Sequence, residues 1–216
     1  MKVRARWQLR VVGAVVFAAA AFAPFAVDPG QRPTAVQVAV DADVERVARY
    51  LEWRAPVSLD PLLRRQVAVA VVEEARRAEL DPLFVLAVME VESDFVPDAV
   101  SNANARGLLQ LRPITLREVE RQEDLPEVDE AEPEVVRELR IGVRYLAMME
   151  RRFGSREQAL AAWNAGPGAV RRALAEKGAI PERWLAFARN VEREHRRLRK
   201  RLGADAGTTL AQVAAP

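Results

Sequence analysis

The chain has 216 residues, 50% hydrophobic and 30% charged, which suits one globular domain with extensions and is too apolar for a disordered chain. Cysteine is absent and His195 is the only histidine, so disulfides, thiolate nucleophiles, an acylated N-terminal Cys, histidine triads and multi-histidine metal sites are all excluded. Lys and Arg number 33 against 31 Asp and Glu; with Lys2, Arg4, Arg6 and Arg10 set aside, 29 remain against 31, so the excess positive charge belongs to the N-terminus and the balance is not that of a nucleic-acid binder.

In chain order, the cationic start is followed by an apolar run from Val11 to Val27, broken only by Pro24. About 17 residues is the lower limit for crossing a bilayer and slightly long for a signal-peptide core. A signal peptide and a retained signal anchor both fit, with the removed signal favoured; either sends the rest of the chain out of the cytoplasm. Residues 28–34 (DPGQRPT) read as a linker. Val44, Val47 and Leu51 lie at helical spacing and predict a helix over 41–53. Asp60-Pro61 and Asp81-Pro82 each place an N-cap before a first-turn proline, predicting helices to about Glu79 and Ser93. Pro113 starts a short helix. The stretch 118–134 is acidic, contains Pro126 and Pro133, and reads as a solvated loop. A long helix then runs to Gly154, and Ser155 with Gln158 predicts a capping box for the next, which ends near Asn164. A short helix stops at Gly178, and Pro181 to Gly203 bounds the last. The tail 204–216 lacks periodicity and is expected to be disordered. No strand-like alternation of useful length occurs, so the fold class is all-α.

The 82–93 segment, PLFVLAVMEVES, is apolar nearly all round and should be buried. Glu92 shares a face with Val85, Val88 and Met89, which puts a carboxylate at the end of an apolar stripe. Desolvation and the negative end of the helix dipole would both raise its pKa, and each unit is worth roughly 1.4 kcal/mol. Such a group can hold a proton near neutral pH, as a general acid for a glycosidic oxygen must. The competing reading is a solvated Glu92 at a frayed helix end. Glu90 is an internal control: about 160° away around the helix, it should be solvated or paired with an Arg.

The string VMEVESDFVPDAVSNANARGLLQLRP resembles the catalytic segment of the soluble, Slt-type lytic transglycosylases, which share a lysozyme-like fold. The matching motifs are Glu92-Ser93, Ala99-Val100-Ser101 and Gly107-Leu108-Leu109-Gln110. Farther on, Gly142, Tyr145 and Leu146 resemble the family's Gly-x-x-Tyr-Leu helix, and Trp163-Asn164 its Ala-Tyr-Asn-Ala-Gly segment. The match covers about residues 70–202. It divides the chain into a signal or anchor (1–27), a linker with N-terminal helices (28–69), a lysozyme-like transglycosylase domain (70–203) and the tail.

The departures are specific. Leu109 replaces a Met, a volume-conserving change in an apolar wall. Trp163 replaces a Tyr, keeping a stacking platform and losing the hydroxyl. Asn104 stands where Gly is common, and Glu138 where an Asn precedes the Gly-x-x-Tyr-Leu helix. Phe187 aligns with a late Tyr that touches the catalytic Glu, so one hydrogen bond to Glu92 is expected to be missing.

The resemblance implies cleavage of the β-1,4 bond between N-acetylmuramic acid and N-acetylglucosamine in peptidoglycan. Glu92 would protonate the leaving oxygen, then take the proton of the muramyl C6 hydroxyl as a 1,6-anhydro ring closes. The substrate's N-acetyl group can stabilise the developing charge, so no cofactor, metal or second carboxylate is needed. Asp94 and Asp98 are not clear partners for Glu92, which weakly disfavours a two-carboxylate hydrolase. Ser93 and Ser101 would orient Glu92 or the N-acetyl group, and Gln110 and Asn164 would bind sugar amides. Leu109 would be an apolar wall under a sugar, Trp163 would stack on a sugar face, and Phe187 counts with them among the substrate-binding residues. Each has a plainer role: a helix end for Ser93, a turn for Ser101, a C-cap for Asn164, core packing for Trp163 and Tyr145. His195 lies in an Arg-rich run that reads as a solvated basic face. The partner is then peptidoglycan glycan, with membrane association through residues 11–27 and no nucleic acid; the location is periplasmic or cell-envelope. Two alternatives stand beside this: a lysozyme-type hydrolase of the same fold, and a non-catalytic wall-binding module.

Overall fold

The computed structural model describes residues 35–55, 59–121 and 131–203. The apolar 11–27 segment, most of the acidic stretch and the 204–216 tail therefore lie outside the described residues. Those described form eight α-helices and no strand, beyond isolated bridges from Arg106 to Val100 and Leu111. None of these helices is long and apolar enough to cross a membrane. The helices are α1 (Ala35–Arg54), α2 (Pro61–Arg77), α3 (Pro82–Ser93), α4 (Pro113–Glu120), α5 (Glu134–Phe153), α6 (Arg156–Ala165), α7 (Pro167–Lys177) and α8 (Glu182–Leu202).

The Asp-Pro signals work as expected. Asp60 accepts from the Leu63 amide and Asp81 from the Leu83 amide, both at 2.9 Å, so an otherwise unpaired first-turn donor is satisfied in each helix. Two local expectations need correcting. Helix α1 begins at Ala35, about two turns earlier than the apolar spacing marks. Ser155 occupies the N-cap of α6 in extended conformation, yet its side chain makes no capping bond, so the capping box is not formed.

Helix α3 is the axis of the core. Leu83 to Met89 are all buried, and the helix packs against α8, α2 and α1. A stretch apolar on every side is stable only when other helices cover every side. Helix α8 holds it at two points. His195 Nε2 lies 2.8 Å from Asp81 Oδ2, the other oxygen of the α3 N-cap, and Arg197 donates to Glu90 at 2.8 Å. His195 is therefore not part of the solvated basic face: it falls on the buried stripe Val191–His195–Leu198, while Arg193, Arg196 and Arg199 are exposed.

A buried ionic knot joins α2 to α5. Glu74, 1% exposed, accepts from Arg144 at 3.0 Å through both carboxylate oxygens, from Arg77 at 2.6 Å and from Arg140 at 3.2 Å. Burial alone would raise the Glu74 pKa, but the three guanidinium groups override it and hold the carboxyl below its ordinary range. This stabilisation is present above the ordinary carboxylate pKa and is lost as pH falls through the depressed value. Glu74→Ala removes the carboxylate shared by Arg144, Arg140 and Arg77 at a buried site and should destabilise the fold by about 3–5 kcal/mol, read as a lower urea midpoint at neutral pH.

Candidate active site

Glu92 sits in the last turn of α3, partly buried. Immediately after Ser93 the backbone reverses through two left-handed residues, Asp94 (φ 52°) and Phe95 (φ 62°). Asp tolerates that region; for Phe it is strained. Full burial of Phe95, edge-on to the Tyr50 ring at 5.9 Å, offsets the strain. The reversal brings residues 99–111 back over the end of α3.

That returning loop is built from its own side chains. Ser93 Oγ lies 2.9 Å from the Leu108 carbonyl and 3.2 Å from that of Met89, so it ties the helix end to the loop. Ser101 Oγ accepts from the amides of Ala105 and Ala103 at 3.1 and 3.3 Å. Gln110 donates its amide to the carbonyls of Ala99 and Gly107, both at 3.0 Å. Asn104 takes the left-handed conformation (φ 58°) expected of a residue replacing Gly. Leu109 is buried and faces Gly142 of α5, where an added Cβ would lie 2.6 Å from Leu109 Cδ1. A Cβ at Gly142 would therefore force the Leu109 side chain to shift. Gly107 (φ 74°) meets Glu138, whose Oε2 would be 2.7 Å from an added Cβ. Burial and the neighbouring Glu134 raise the Glu138 pKa, against the pull of Arg106 and Arg137.

The two acids of α3 part company as the helix geometry requires. Glu90 accepts from Tyr50 at 2.7 Å, Arg54 at 3.1 Å and Arg197 at 2.8 Å. Asp94 joins the same side through Arg54. Glu92 leaves on the other side, where its hydrogen-bond partner among the described residues is the Trp163 indole, whose Nε1 donates to Oε1 at 2.6 Å. Burial pushes the Glu92 carboxyl up to about 7, against the opposing effect of the Trp163 bond. Among the described residues, burial and the Trp163 bond are the causes of this shift, and no charged group is one of them. Behind the indole stands the buried Tyr145 ring, 5.4 Å away and tilted by 43°.

Trp163 was expected as a platform; its N–H is the part that meets Glu92. The signal for this was present, because a buried indole N–H needs an acceptor. Asn164 is exposed, and the helix is capped by Gly166 instead of Asn164. Phe187 is partly buried on α8 and packs against the core. The arrangement is a carboxyl that burial pushes up to about 7 and that, among the described residues, accepts from one donor, the Trp163 indole.

A family model described as the transglycosylase SLT domain matches residues 70–184. The chain belongs to that family. A soluble lytic murein transglycosylase of Salmonella typhimurium is 31% identical over 127 residues, 56% of this chain and 18% of the relative. A membrane-bound lytic murein transglycosylase C of Actinobacillus pleuropneumoniae is 43% identical over 72 residues, 33% of this chain and 17% of the relative. The chain thus spans less than a fifth of the length of these two curated relatives. An inactive variant of the lytic transglycosylase Slt of Pseudomonas aeruginosa aligns with TM-score 0.55 at 25% identity, over 76% of this chain and 30% of that one. The 70 kDa soluble lytic transglycosylase of Escherichia coli aligns with TM-score 0.57 at 23% identity, over 73% and 30%, a likeness of fold.

In this SLT domain a Cβ at Gly142 would press on the buried side chains of Leu109 and Leu111. Gly142→Ala should cost roughly 1–3 kcal/mol through overpacking. A denaturation curve with unchanged slope and a lowered midpoint would register it.

Proposed function

We propose that the chain is a peptidoglycan lytic transglycosylase that cleaves the β-1,4 bond between N-acetylmuramic acid and N-acetylglucosamine without water, leaving 1,6-anhydromuramyl ends. Glu92 acts first as acid and then as base. Its neutral carboxyl protonates the oxygen leaving the muramyl anomeric carbon. The resulting carboxylate takes the proton of the muramyl C6 hydroxyl, whose oxygen bonds to that carbon. Charge on the oxocarbenium-like centre is met by the substrate's own N-acetyl group, so one carboxyl suffices.

The observation that carries this reading is the isolation of Glu92. Its shift has burial and the Trp163 bond as its causes, and the nearest acids in sequence, Glu90 and Asp94, are turned toward Arg54. A retaining or inverting hydrolase would need a second acid across the scissile bond. Family membership and the transglycosylase names of the relatives support the same chemistry. In this reading Asn164, exposed at the end of α6, is a saccharide contact, while Ser101, Gln110 and Leu109 act by shaping the loop over Glu92 and Phe187 by packing behind it. The glycan is reached in the cell envelope, with residues 11–27 directing or anchoring the chain there.

Digestion of purified cell-wall glycan, with analysis of the released ends, tests the reading. It expects 1,6-anhydro ends from the native chain and no release from Glu92→Gln; reducing ends would instead indicate a hydrolase. Activity should decline as pH rises above about 7, where Glu92 loses its proton.

Stability supplies a check independent of turnover. With the folded-state pKa raised to about 7 from 4.5, the folded protein binds more protons than the unfolded chain between those values. Stability should therefore fall as pH rises from about 4.5 to 7 and level off above. Glu92→Gln should remove that slope, making the variant more stable than the native protein at pH 8 by up to about 3 kcal/mol and nearly equal at pH 4.

A further inference from the structure

A neutral carboxyl has one oxygen that accepts and one that carries the proton. Which is which matters to an acid catalyst, because only the hydroxyl oxygen can deliver. An indole N–H can donate and has no lone pair in the plane with which to accept. A hydroxyl in its place could turn and take the acid's proton in a hydrogen bond of its own.

From this we infer that Trp163 is a positioning residue that fixes the single proton of Glu92 on Oε2. The Trp163 Nε1–Oε1 distance of 2.6 Å leaves no room for a second hydrogen between those atoms, so in the neutral acid Oε1 is the carbonyl oxygen. Oε2 makes no hydrogen bond to a described residue, and it carries the transferable proton. After proton transfer Oε1 keeps its donor, now in a charge-assisted bond, and Oε2 is the oxygen open to the incoming hydroxyl proton. One oxygen thus gives and receives. The inference rests on Glu92 being acid and base in turn, and it adds which atom serves.

The indole is held for this task. Trp163 lies on α6 directly after the buried run Ala159 to Ala162, and the Tyr145 ring of α5 backs it at 5.4 Å. The charged groups near the pair are directed elsewhere. On α3, Glu90 is bound to Tyr50, Arg54 and Arg197, and Asp94 to Arg54. On α5, the Tyr145 hydroxyl is influenced by Glu118 and Arg152, and neither of those contributes at Glu92. Trp163 also answers the hydrogen bond expected to be missing at Phe187: the donor comes from α6 instead of α8.

The full-length chain with 15N-labelled indoles provides the test. Its four tryptophans are Trp7, Trp53, Trp163 and Trp184, and Trp163→Phe identifies the Trp163 signal by loss. That N–H proton should move downfield with rising pH, with a midpoint near 7, as its acceptor gains charge. In Glu92→Gln the movement should vanish. A Trp163 signal flat from pH 5 to 9 in the native chain would overturn the inference, whatever the protein does to cell wall. On wall glycan, Trp163→Phe should lower kcat roughly tenfold or more, change KM less than about twofold, and move the alkaline limb upward, because a donor that favoured the carboxylate is gone. A loss of activity with the limb unmoved would mean that the indole only packs. Absence of anhydro ends from the native chain would sink the reading of function while leaving the indole titration to stand or fall separately.

Discussion

Everything at this site follows from how α3 is buried. A helix that is apolar on all sides has no face to give to water, so it is enclosed by α1, α2 and α8, and any carboxylate on its last turns must find a partner or lose its charge. Glu90 and Glu92 are two residues apart, which on a helix means nearly opposite sides. Glu90 meets Tyr50, Arg54 and Arg197 and becomes part of the frame. Glu92 meets a neutral indole, and its proton is retained up to about pH 7. The same amino acid thus serves as a strut and as a proton carrier, separated by which helices cover which side.

The frame keeps those sides distinct. Helix α8 binds α3 through His195 to Asp81 and through Arg197 to Glu90, so α3 can neither rotate nor slide without breaking charged hydrogen bonds. Burial opposes the ionisation of Asp81, but His195 and the Leu83 amide hold its carboxyl below the ordinary range. On the opposite side, the Glu74 knot fixes α5 against α2, and α5 carries both Gly142, which seats Leu109, and Tyr145, which backs Trp163. Rotation of α5 would disturb the loop and the indole together.

Much of this was legible one residue at a time. Proline after Asp gave true starts for α2 and α3, because the cap oxygen and the missing N–H are local chemistry. The apolar stripe below Glu92, and the expectation that Glu90 would pair with Arg, came from helix periodicity alone. Other features misled for equally physical reasons. His195 stands among arginines in sequence, but a turn of 100° per residue sends it inward while Arg193, Arg196 and Arg199 stay exposed. Ser155 and Gln158 have capping-box spacing without the capping bond. The hydrogen bonds of Ser93 and Gln110 to the carbonyls of Met89, Leu108, Ala99 and Gly107 were not legible either, because they depend on how the loop folds back over the helix end.

The helical class, the burial of α3 and the separation of its two acids can be read from the order of residues, since these depend on spacing within a single helix. What each acid faces is settled by docking between helices. Glu92 and Trp163 are 71 positions apart, and Glu90 and Arg197 are 107 apart. Whether a carboxyl keeps its proton depends on the nearest donor and on the water excluded around it, and both are set by how separate helices dock.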